Sequence, residues 1–172
     1  MSTLRVSVGD KDHITGDAYA EKVLVEYGDY QCPHCAKAHP FIKKLLKEFQ
    51  GELKFVFRNF PLQEVHPMAM MAALATEAAA RQDKFWEMHD IIFEHQKTLS
   101  ADAILDFAAE LKLDQAQFGK DLLDKELMNK VERDFVSGLR SGVNGTPTFF
   151  LNGQMVTTYD ETYESLAEAV KG

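Results

Sequence analysis

A break in the hydrophobic pattern constrains this chain most. About sixty residues of strand and helix signals give way to roughly 75 residues with helical periodicity alone, and then the β pattern returns. In the first part, Val23 to Tyr27 (VLVEY) is a β-rich run ending at Gly28, which suits a strand buried on both faces. Downstream, AKAHPFIKKLLKEFQ sets Phe41, Leu45 and Phe49, with Ile42 and Leu46, at helical spacing before Gly51 stops them. Leu53 to Phe60 (LKFVFRNF) alternates and ends at Pro61. Strand, helix and strand in that order form a right-handed βαβ unit.

From His66 to about Gly142 the spacing predicts four or five amphipathic helices, with Asp83, Ser100, Asp114 and Asp124 as N-caps. Asp114 and Gln117 have the spacing of a capping box. Met68, Met71, Ala72 and Ala75 mark one helix face, and Phe85 with Trp86 is expected to pack this block onto the rest. In TPTFFLNGQMVTT, Asn152-Gly153 between two β runs signals a hairpin, and a last helix is expected over Glu161 to Val170, after Asp160. The expected fold is therefore α/β: a discontinuous core, 1–62 and 143–172, interrupted by a helical insertion, 63–142.

A net charge of -8 with no Lys/Arg stripe argues against a nucleic-acid partner. No apolar run is long enough to span a bilayer. The N-terminus, MSTLRVSVGDKDHITGDAYAEK, has no basic region followed by an apolar stretch, so the sequence as it stands predicts a cytoplasmic protein. The alternative is the bacterial periplasm or cell envelope, if a signal peptide has been removed. A monomer is expected.

The chemistry concentrates in DYQCPHCAKAHP, which holds both cysteines of the chain, Cys32 and Cys35. Two cysteines cannot supply a four-cysteine zinc site, and His34, His39, His89 and His95 lack finger spacing, so no metal and no cofactor is expected. A redox pair fits better, because a Cys in the first turn of a helix faces unpaired N–H groups and the positive end of the dipole, which favour thiolate. Pro33 suits the first helical position, where its missing N–H costs nothing. Cys32 is then the nucleophile, and Cys35, one turn on and more enclosed, resolves the mixed disulfide. His34 either adds positive charge beside the Cys32 thiolate or simply faces solvent. Pro40 should kink the helix, and His39 is read as an exposed helix residue.

Two distant features bear on the pair. Glu26 interrupts an apolar strand: facing inward it would hold a raised pKa and could accept the Cys35 proton, and facing outward it is an ordinary surface acid. Thr146-Pro147 stands just before the strand TFFL, where an outward-facing Thr146 backbone could pair with an extended substrate peptide.

LVEYGDYQCPHC, VHPMAMMAALATEAAARQDKFWEMHDIIFEHQ and GVNGTPTFFLNG together resemble the DsbA-like branch of the thioredoxin superfamily, across nearly the whole chain. The resemblance implies a thioredoxin fold with a helical cap, Cys32 as an exposed nucleophile, Cys35 as its partner, Pro147 in cis and Glu26 as the buried acid. It also implies cysteine-containing proteins or peptides as substrates, bound near Thr146 and Pro147, and a redox partner that regenerates the pair. Three readings follow: a DsbA-like thiol–disulfide oxidoreductase, a cytosolic reductase or redox relay of the same fold, and a thioredoxin-like binding module for metal or glutathione without disulfide turnover.

Overall fold

The computed structural model describes residues 2–172. Its centre is a five-stranded sheet built from β1 (His13–Gly16), β2 (Lys22–Gly28), β3 (Leu53–Asn59), β4 (Thr148–Leu151) and β5 (Gln154–Met155), in the order β1-β3-β2-β4-β5. β2 and β3 run parallel, joined by α1 (Pro33–Glu48), and this is the βαβ unit expected from the sequence. β1 and β4 flank the parallel pair antiparallel, and β5 turns back on β4 through Asn152 and Gly153, both at positive φ as a two-residue hairpin requires. β1 is a four-residue strand that the sequence reading did not find.

Between β3 and β4 lie five helices: α2 (Ala69–Ala80), α3 (Phe85–Glu94), α4 (Ala101–Glu110), α5 (Gln115–Asp121) and α6 (Lys125–Arg140). Ser100, Asp114 and Asp124 accept the backbone N–H bonds expected of N-caps. Asp83 does not cap α3: it sits at φ 61° in the turn after α2, and Lys84 occupies the N-cap position without a side-chain bond. The Asp114 box is half formed. Asp114 accepts from the Gln117 N–H, but the Gln117 amide reaches forward to Asp121. The last helix, α7 (Tyr163–Lys171), starts two residues later than expected, behind a Thr162 cap that accepts from the Ser165 N–H.

Strand alternation sends the two faces of β2 into different cores. Val25 and Tyr27 pack with Val56, Phe60, Val143 and Phe150 under α6, while Leu24 joins the larger cluster beneath α1 and α2–α5. α6 approaches the sheet closely at Gly138, where a Cβ would stand 2.8 Å from the Phe60 ring. Trp86 packs on Phe55 and donates to the Ile14 carbonyl, so it ties α3 to the sheet as the sequence suggested. Interior charges are mostly paired: Arg58 with Asp12 at 2.8 Å, His13 with Glu77 at 2.9 Å, and Lys130 with Asp134 at 2.8 Å.

Candidate active site

Cys32 is the N-cap of α1, in extended conformation, and Pro33 is the first helical residue. The motif is held from three sides. The Gln96 amide donates to the carbonyls of Tyr30 and Cys32, both at 2.8 Å. Buried Asp29 accepts from the N–H groups of Gln31 and Leu62 and pairs with His66 at 2.7 Å. Its own N–H points at the Cys35 sulfur, 3.5 Å away.

Both cysteines are free thiols. Cys32 is 4% exposed and Cys35 1%. The order of enclosure is the expected one, but the exposed nucleophile implied by the resemblance is largely covered. Part of that cover is the Thr146 carbonyl, 3.6 Å from the Cys32 sulfur, which accepts from its S–H while the thiol is protonated. The Thr146–Pro147 bond is cis.

The environments push the two sulfurs apart. The Cys35 thiol as hydrogen-bond donor, with the Thr146 side chain and the N–H groups of Cys35 and His34, brings the Cys32 thiol down to about 5 against the opposing effect of burial. Burial, followed by its bond to Cys32 and the nearby Glu26 charge, drives the Cys35 thiol well above its ordinary value. At neutral pH, Cys32 is a thiolate and Cys35 a thiol. Thiolate absorbance near 240 nm, followed from pH 3 to 9 in the reduced protein, is expected to rise with a midpoint near 5, and Cys32→Ser should remove that step.

Glu26 points inward, 3% exposed, in register with Phe57 on β3 and Phe149 on β4. Its Oε2 is buried with no hydrogen-bond partner, unlike the paired interior acids. Burial first, then the Cys32 charge, lifts its carboxyl to about 8, so it carries a proton at neutral pH.

His34 is exposed, and its Nδ1 lies 2.6 Å from the Glu161 carboxylate. That carboxylate raises the His34 pKa more than Cys32 does, and so favours the positively charged ring beside Cys32. Glu161 stands 127 residues further along the chain. Neither it nor Asp29 carries a local signal that would have marked it in the sequence. Tyr159 packs edge-on against Phe149 with a buried, unpartnered hydroxyl, and it was also missed.

Residues 9–172 match the thioredoxin family. The chain belongs to that family. Among solved structures, this thioredoxin-family chain is similar to oxidised BdbD from Bacillus subtilis, with a TM-score of 0.82, 25% identity, and coverage of 94% of this chain and 91% of that one. It shares its fold with α-DsbA1 from Wolbachia pipientis, at a TM-score of 0.79, 22% identity, and coverage of 98% and 92%. Among curated sequences it is 42% identical over 145 residues to the Na(+)/H(+) antiporter NhaA 3 of Salinispora tropica, covering 84% of this chain but 22% of that protein. The chain thus spans about a fifth to a quarter of the length of the curated relatives it matches. No helix of the described residues is long and apolar enough to cross a membrane.

Proposed function

We propose that the protein is a thiol–disulfide oxidoreductase exchanging disulfides with cysteine-containing proteins or peptides through Cys32 and Cys35. The observation that carries this reading is the placement of the sulfurs, Cys32 at the N-cap of α1 and Cys35 buried within its first turn, an arrangement that lowers the first thiol and raises the second. In the oxidising direction a substrate thiolate attacks the Cys32 sulfur of the Cys32–Cys35 disulfide. The S–S bond breaks, and Cys35 leaves as a thiolate that takes a proton. A second substrate thiolate then attacks the substrate sulfur of the mixed disulfide and expels the Cys32 thiolate, so the substrate leaves oxidised and the protein holds two more electrons.

Each residue has a part in this scheme. Pro33 starts the helix without an unsatisfied N–H, and His34, whose charged form Glu161 favours, helps the leaving thiolate. Glu26 supplies the proton that Cys35 needs on leaving and takes it back in the reverse direction. Thr146 and Pro147 border the sulfur, and the Thr146 backbone is the natural surface for an extended substrate. A thiolate held this far down favours the reduced form of the pair, which makes the couple oxidising and the DsbA-like direction the preferred one. A compartment that keeps thiols reduced would instead hold it as a dithiol relay.

The direct test mixes the oxidised protein with a peptide carrying two cysteines and follows both by mass spectrometry. The expected result is one peptide disulfide per protein dithiol formed. Persistence of both starting species sinks the reading. The antiporter names belong to much longer proteins, and ion transport is not carried over to this chain.

A further inference from the structure

His39 is the residue whose placement departs furthest from the sequence reading. It is 7% exposed, and its Nε2 is buried without a hydrogen-bond partner. That nitrogen stands 3.6 Å from Asp90 Oδ1 on α3, and the His39 and His89 rings are 5.5 Å apart. A buried, unmatched imidazole nitrogen is costly to keep unless something fills its remaining valence.

We propose that His39, His89 and Asp90 form a binding site for a transition-metal dication of the zinc class, between α1 and α3. One donor atom from each lies within 4.8 Å of the other two. Tetrahedral coordination needs donors at about 2.0–2.2 Å from the metal, so the three must close in by roughly an ångström, within the reach of rotamer adjustment. Two imidazoles and one carboxylate suit zinc, and a water completes the shell. The outer support is present too: His89 Nδ1 lies 2.7 Å from the Tyr30 hydroxyl, and a Nδ1 proton donated there leaves the Nε2 lone pair for the metal. An entry path exists as well, since all three residues line one open groove of about 500 Å³ together with Trp86 and Lys43.

One group competes. The Lys43 ammonium lies 3.3 Å from Asp90 Oδ2, but its side chain is half exposed and can swing into solvent when a dication arrives. The site departs from the expectation of no metal, and it is independent of the cysteines, whose thiolates would themselves bind zinc. Its test therefore uses the protein oxidised at Cys32–Cys35, untagged, titrated with zinc ion in a calorimeter.

The expected result is one zinc ion per chain, with affinity lowered at least roughly tenfold by Asp90→Asn and by His39→Gln, and raised by Lys43→Gln. Asp90 is partly exposed, so its variant reports on the site even if His39→Gln folds poorly. Nickel ion added to the same oxidised protein should alter the fluorescence of Trp86, the sole tryptophan, whose ring is 5.0 Å from His89. No binding at about millimolar zinc, where affinity is too weak for a built site, overturns the proposal. So does binding that survives both Asp90→Asn and His39→Gln undiminished.

Discussion

Cys32→Ser is expected to lower disulfide exchange about a thousandfold or more, to the uncatalysed background, because a hydroxyl at the helix start is no nucleophile at neutral pH. Cys35→Ser should behave differently. It leaves the Cys32 sulfur at the N-cap but removes the group that expels the substrate, so Cys32-linked mixed disulfides accumulate and resolve slowly. Cys35→Ala, which removes the hydrogen-bond donor as well as the sulfur, loses the strongest influence lowering the Cys32 pKa, so its thiolate titration should move upward from about 5. Non-reducing electrophoresis after incubation with a disulfide-bearing protein separates the two serine variants. Equal, undiminished turnover by both would remove the basis for the assignment.

The second large effect concerns Glu26 and stability. A carboxyl ordinarily near 4.5 in the unfolded chain is lifted to about 8 in the fold, so the native state binds more protons across that window. The sign follows: this group stabilises nothing at neutral pH, and its penalty is absent below about 4.5, grows as pH rises and is complete above about 8. For a fully buried group the penalty is on the order of 3 to 5 kcal/mol above pH 8. Glu26→Gln removes the ionisable group and Glu26→Leu removes the polar atoms as well, so both should flatten the loss of stability between pH 5 and 8. Urea unfolding of the reduced proteins at those two pH values measures the difference. The same variants should slow exchange at neutral pH, since the proton for Cys35 must then come from solvent. Parallel stability profiles for wild type and variants would mean that Glu26 is not a buried acid.

What could be seen in the sequence was local in origin. The β2-α1-β3 unit showed because its apolar periods are complete and Gly28, Gly51 and Pro61 punctuate them, and the β4-β5 hairpin showed because Asn152-Gly153 demands positive φ. For Glu26 the sequence left an inward and an outward placement open, and strand alternation in the fold turns it inward, to the same face as Leu24. β1 escaped notice because four residues, HITG, only half buried, carry no period of their own, and β3 supplies their partner. Asp83 looked like a cap by residue type, yet it closes the turn after α2 in a left-handed conformation that Asp tolerates.

The misplacement of His39 has the same cause. On an isolated helix it reads as a polar residue facing water, and only the packing of α3 against α1 buries it beside His89 and Asp90. Glu161 beside His34 and Asp29 behind Cys35 are likewise products of tertiary folding. The Cys32–Cys35 pair at a helix start was legible and its electrostatic setting was not, because the setting is assembled from separate elements.

The reduction potential of the Cys32–Cys35 pair, read by thiol trapping after equilibration in glutathione buffers, tests the central claim most directly. Stabilisation of the Cys32 thiolate predicts a reversible intramolecular disulfide at the oxidising end of the range, nearer to about -120 mV than to about -270 mV. A pair that forms no Cys32–Cys35 disulfide in any buffer, or one poised at about -270 mV or below, contradicts the account.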